Sequence, residues 1–136
     1  MTPEDFRKRT KAFGLRCIRL VDALPKSVIG RTLGAQLLRS GTSVGANYRA
    51  ACRAKSRADF ISKMRTVEEE SDESLYWMEL LVESGQVGGP LLADLTKEGD
   101  AILSMVVTSI KTARARRESQ SPISNPQSPI ERRSRS

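Results

Sequence analysis

Apolar side chains return every three or four residues through four long stretches of this chain, and glycine or proline interrupts the pattern between them. That period keeps one face of a helix apolar, and it lacks the strict alternation of a half-buried strand. In the first stretch, residues 3 to 24, the apolar face holds Phe6, Thr10, Phe13, Cys17, Leu20 and Leu24. Thr2, Pro3, Glu4 and Asp5 form a start signal: a capping hydroxyl, a proline in the first turn, then acids at the positive end of the helix dipole. Pro25 ends the element. From about Ser27 to Ala54 the rhythm continues through Ile29, Leu33, Leu37, Ser40, Val44, Tyr48 and Ala51. Gly30, Gly34, Gly41 and Gly45 lie within it, each costing about 1 kcal/mol of helix propensity against alanine. A kink or a tight helix crossing is therefore expected around residues 39 to 45.

Ser56, Arg57 and Asp59 suggest a new cap, opening a third helix that runs to about Ser84. Its apolar face is Phe60, Ile61, Met64, Val67, Leu75, Met78, Leu81 and Val82, and Gly85 suits the left-handed residue that follows a helix end. Gly88, Gly89 and Pro90 complete the break. Leu91, Leu92, Leu95, Ile102, Leu103, Val106 and Ile110 make the last stripe, which ends near Arg117. Four such segments with short connections predict an all-α fold, an antiparallel up-down-up-down four-helix bundle over residues 1–117. Residues 118–136 hold three prolines, abundant serine and no apolar period, which predicts a disordered tail.

The chemistry available is narrow. The chain has no histidine, which removes the commonest general base, the usual serine–histidine pairing and most zinc sites. It has no glycine-rich phosphate loop of the common forms. The run Glu68, Glu69, Glu70 with Asp72 and Glu73 lacks the histidines of a di-iron bundle and reads as a solvated or salt-bridged face. Cys17 and Cys52 have neither metal-ligand spacing nor the number for a disulfide framework, and both are expected to be buried free thiols. No secretory signal and no stretch of about 20 apolar residues is present. The expectation is a cytoplasmic protein with no catalytic site, metal or cofactor.

Charge is the more informative feature. The formal net charge is +7, which makes nucleic acid, acidic lipid or an acidic protein the candidate partners. From Pro25 to Arg57 there are seven bases and no acid, whereas Ala58 to Gly85 holds eight acids and two bases. Arg49, Arg53 and Arg57 are spaced four apart, so they share a face if the helix persists that far. With Lys55, and with Arg16 and Arg19 on the polar face of the first helix, they are the candidate phosphate contacts. The same row could instead pair with the acidic third helix of its own chain or of a second copy. Gln36, Arg39, Ser43, Asn47 and Glu73 are candidates for a structural polar cluster, since buried polar groups need partners. Tyr76 and Trp77 are candidates for a subunit interface, because Trp77 lies about 100° around the helix from Met78 and both cannot point inward.

The run from Gln36 to Asn47 (QLLRSGTSVGAN) resembles the signature of the four-helix proteins encoded in intervening sequences of bacterial 23S ribosomal RNA genes. Leu24-Pro25 resembles that family's inter-helix proline. Phe60 and the stretch from Glu73 to Leu81 resemble its third helix, with Gly85 at the turn. The resemblance covers roughly residues 6 to 115 and implies a bundle that assembles into a homopentamer. It also extends to the accessory proteins of diversity-generating retroelements, which implies nucleic acid and a reverse transcriptase as partners. One departure is Ala50, which stands where the family often carries a glutamate, so no role of that acid carries over. The function expected from the sequence is thus a non-enzymatic oligomeric scaffold or accessory protein contacting RNA or DNA. The alternative is a protein–protein interaction module without nucleic-acid binding.

Overall fold

The computed structural model describes residues 1–120, with side chains through residue 116. Four helices follow one another: α1 (Pro3–Asp22), α2 (Val28–Ala51), α3 (Arg57–Glu83) and α4 (Gly89–Gln120). No strand occurs among the described residues. α4 therefore runs past Arg117, and the rest of the expected tail, residues 121–136, lies outside the described residues.

Local chemistry fixes the helix ends. At α1 the Thr2 hydroxyl accepts from the Asp5 N–H at 3.0 Å while the Asp5 carboxylate accepts from the Thr2 N–H at 3.1 Å. This capping box satisfies two donors that the first turn leaves open, and the Thr2 backbone N–H, helped by the Thr2 hydroxyl, holds the Asp5 carboxyl below its usual range. Ser27 and Ser56 cap α2 and α3 with the hydroxyl alone, accepting from the N–H groups of Gly30 and Asp59. α3 closes with Gly85 at φ 81°, where the Gly85 N–H reaches the Val82 carbonyl and the Gln86 N–H the Leu81 carbonyl. That paired closure is the Schellman arrangement, and a β-carbon at Gly85 would strain it.

The helices form an antiparallel bundle in which each packs on its neighbour in sequence, α1 on α2, α2 on α3 and α3 on α4. α1 and α4 close the ring along a sparser seam, where Phe13 sits against Gly99 and Arg9 reaches Glu98. The core holds Phe6, Phe13, Leu37, Val44, Met64, Met78, Leu81, Leu92, Ile102 and Val106, most of them fully buried. Burying such a side chain contributes roughly 1.5–3 kcal/mol.

The small residues of α2 explain themselves in this packing. α2 runs unbroken through Gly41 and Gly45, and the glycines serve a close crossing with α1. A β-carbon on Gly41 would stand 2.5 Å from the Cys17 sulfur, and one on Gly45 would stand 3.3 Å from the Thr10 backbone. The α2–α3 seam is similarly thin: Ser40 and Ser74 are buried there, and the Ser74 hydroxyl donates to that of Ser40 at 3.0 Å.

Several sequence expectations need correction. Cys52 is exposed, because it is the C-cap of α2 rather than part of its buried face. Ile29 and Leu91 lie in first turns that overhang the end of the bundle, and both are exposed. Leu24 is buried but follows α1, folding back against Gly34 after the helix has ended.

Candidate functional site

α2 stops at Ala51, so the row Arg49–Arg53–Arg57 does not persist on one helix. The chain turns at Cys52–Ala54, and Arg57 opens α3. Arg49 and Arg53 stay together and line one wall of a groove between α1 and α2. Arg7, Lys8 and Lys11 line the opposite wall, brought there by the glycine crossing. Gly14, Gly45, Ala46, Thr10 and Thr42 floor the groove, whose volume is about 570 Å³. The small floor lets the two helices approach, and this approach sets cations of α1 across from Arg49 of α2 and Arg53 just beyond its end.

Among the described residues Glu4 is the one acid on the groove, and it pairs with Arg7 and with Lys8, at 3.9 Å for the latter. Lys11, Arg49 and Arg53 make no ion pair with a described residue. Among the described residues the groove thus carries five basic side chains around one carboxylate, and that carboxylate pairs with only two of them. Leu15 and Ile18, both more than two-fifths exposed, continue the groove along α1 as an apolar extension.

The other proposed phosphate contacts lie elsewhere. Arg16 is half-buried and its charge bears on Glu98 of α4, so it faces the α1–α4 seam. Arg19 is exposed on α1 but does not line the groove. Lys55 sits in the α2–α3 turn, its backbone N–H bonded to Asp59. Arg57 lies between α3 and α4. Arg7, Lys8 and Lys11 belong to the polar face of the first helix, but nothing in their spacing placed them opposite Arg49 and Arg53.

The polar residues of the middle of the bundle divide into two groups. Arg39 donates to Gln36 at 3.3 Å, to Glu70 at 3.2 Å and to Glu73, and the Trp77 indole N–H donates to the same Glu73 oxygen at 3.2 Å. Arg39 is half exposed, so the network is worth at most about 1 kcal/mol per pair. Asn47 bonds only its own previous turn, donating to the carbonyl and hydroxyl of Ser43 at 2.8 and 3.0 Å. Tyr76 is 51% exposed, while Trp77 beside it packs partly against the core, the two rings 5.2 Å apart.

Across the bundle, Arg9 grips Glu98 with two hydrogen bonds of 2.7 and 2.9 Å. Those bonds hold the Glu98 carboxyl below its usual range and raise the Arg9 guanidinium. Burial pushes the Cys17 thiol up to about 12, which makes it inert at neutral pH. No group of three or more His, Cys, Asp or Glu side chains among the described residues could hold a metal ion. Nor is any helix among them long and apolar enough to cross a membrane.

Comparison with known proteins agrees with this fold. The crystal structure of a protein of unknown function from the S23 ribosomal protein family of Bacteroides thetaiotaomicron VPI-5482 superposes with a TM-score of 0.73. The two are 31% identical, and the match covers 82% of this chain and 99% of the other. Among curated proteins nothing matches. Residues 5–108 match the family model for the 23S rRNA-intervening sequence protein, and with the capped helices and glycine crossing described above, this chain belongs to that family.

Proposed function

We propose that the protein is a non-enzymatic oligomeric scaffold that holds RNA or DNA by its phosphates in the α1–α2 groove. The observation that supports this most is the groove itself, where Arg7, Lys8, Lys11, Arg49 and Arg53 face one another around a single carboxylate. It offers no aromatic platform, so the contact is to phosphate and shape rather than to bases. Five phosphate contacts to a single strand give a slope of log affinity against log salt near −3.5, from about −0.7 per contact. Affinity then falls roughly a hundredfold between about 50 and about 200 mM salt. Fluorescence anisotropy with labelled RNA and DNA strands tests this, and replacing Arg49 and Arg53 together by glutamine lowers the slope by about 1.4. Absence of binding at low salt, or binding indifferent to salt, rejects the reading.

The alternative, an interaction module whose charge meets an acidic protein, is favoured by Leu15 and Ile18, which extend the groove as an apolar strip. A second copy of this chain, offering its acidic α3, or a reverse transcriptase is the partner on that reading. A homopentamer with Tyr76 and Trp77 at its interface is the assembly we propose. Light scattering coupled to gel filtration tests it: a monomer mass at micromolar concentration rejects self-association, and a stable dimer or tetramer rejects the pentamer.

A further inference from the structure

We propose that the cleft between the first turn of α3 and the last turns of α4 is a second phosphate-binding site, built around Arg57. The proposal rests on the nucleic-acid reading only for its natural ligand, a phosphodiester of the same strand. The cleft is lined by Arg57, Phe60, Ser109, Thr112, Ala113 and Arg116 and has a volume of about 530 Å³. Two arginines, a serine and a threonine line this space, and among the described residues no carboxylate does.

The Arg57 side chain carries the argument. Its Nη1 has no exposed surface, yet it donates to no described residue. Buried polar groups are almost always paired, and a charged donor is the costliest to leave open. Every other buried side-chain nitrogen or oxygen among the described residues has a partner. Nearby acids do not serve Arg57: Asp59 is held by Lys63 at 2.7 Å and by the Lys55 N–H. A guanidinium fork with hydroxyls beside it matches the oxygens of a phosphate, and the neighbouring Arg116 adds charge of the same sign. Ser109 and Thr112 stand one turn apart on α4, so both hydroxyls can donate to the same anion. The cleft is also open and far larger than one tetrahedral anion, which leaves passage for the strand on either side of the phosphate.

The test uses the full chain and inorganic phosphate, with chloride at matched ionic strength as reference. Phosphate at tenfold its Kd raises the melting temperature by roughly 4–6 °C. Arg57→Met abolishes the rise and leaves stability in chloride equal or higher, because the unpaired donor is gone. Thr112→Val reduces the rise, and the double replacement of Arg49 and Arg53 by glutamine leaves it intact. An unchanged melting temperature in phosphate, or a rise that survives Arg57→Met, overturns the proposal. A rise lost in the groove variant instead places the anion in the groove and likewise overturns it. With a labelled RNA strand, Arg57→Met weakens binding roughly tenfold and cuts the salt slope by about 0.7. If the phosphate effect holds but no strand binds, the site stands and the nucleic-acid reading falls. If strands bind equally to wild type and Arg57→Met while phosphate has no effect, the groove stands and this site falls.

Discussion

Gly41→Ala should destabilise the bundle although alanine is the better helix former. The added methyl would stand 2.5 Å from the sulfur and 3.0 Å from the β-carbon of Cys17, a residue with no exposed surface. The substitution gains about 1 kcal/mol of helix propensity. Overpacking a filled core costs about 1–3 kcal/mol, and a contact this short, in the middle of a helix crossing, belongs in the upper half of that range. The net loss is then about 1–2 kcal/mol, or about 4–8 °C in melting temperature for a domain of this size. Urea unfolding followed by far-ultraviolet circular dichroism, at one fixed protein concentration, measures it. Cys17→Ala removes the sulfur but not the β-carbon, so in that background the loss should shrink by about 1 kcal/mol without vanishing. Gly45→Ala is the control, since its methyl would meet the backbone of Thr10 and Lys11 at 3.3–3.4 Å and gains nothing from Cys17→Ala. A Gly41→Ala protein as stable as wild type, or an equal loss in both Cys17 backgrounds, refutes the argument that α2 needs glycine for this crossing.

The Arg9–Glu98 pair makes stability sensitive to acid. Glu98 has its folded pKa depressed below the ordinary 4.5, so its contribution is full above that value and is lost as pH falls through the lower folded value. Glu98→Gln should therefore be less stable than wild type at neutral pH and lose less below about pH 4.5, and parallel stability curves from acid to neutral pH would contradict this. The two thiols should separate kinetically. Cys52 should react with a disulfide reagent in the native protein, whereas Cys17, buried and pushed up to about 12, should react only on unfolding. Equal rates for both would show that the Cys17 site is open.

The fold was legible because Phe6, Phe13, Leu37, Val44, Met64, Met78, Ile102 and Val106 announce their faces by spacing alone, and Thr2, Gly85 and the prolines mark the ends. The buried serines were harder to read. Ser71 satisfies its hydroxyl on the carbonyl of Val67, one turn back, and Ser74 meets Ser40 across the seam, so neither burial leaves a signal in the apolar spacing. Cys52 and the row of arginines misled at one shared place. Small and apolar neighbours in the sequence place Cys52 inside, and the arginine row holds only if the helix persists to Arg57. The end of α2 at Ala51 exposes the thiol and parts Arg57 from Arg49. The basic groove was out of reach for another reason: which faces of α1 and α2 meet depends on backbone approach across Gly14, Gly41 and Gly45, a three-dimensional consequence of several small residues at once.

The sparse seam between α1 and α4 has a consequence for how the molecule moves. α2 lies between two closely packed neighbours, and α3 does as well, so these two helices form a spine. α1 and α4 each have one close neighbour and meet each other lightly, with Arg9 and Glu98 as the latch between them. Opening along that line exposes less packed surface than opening anywhere else in the ring, so the amides of α1 and α4 should exchange with solvent before those of α2 and α3. The bundle behaves as a rigid hairpin of two inner helices with two outer ones that can lift away.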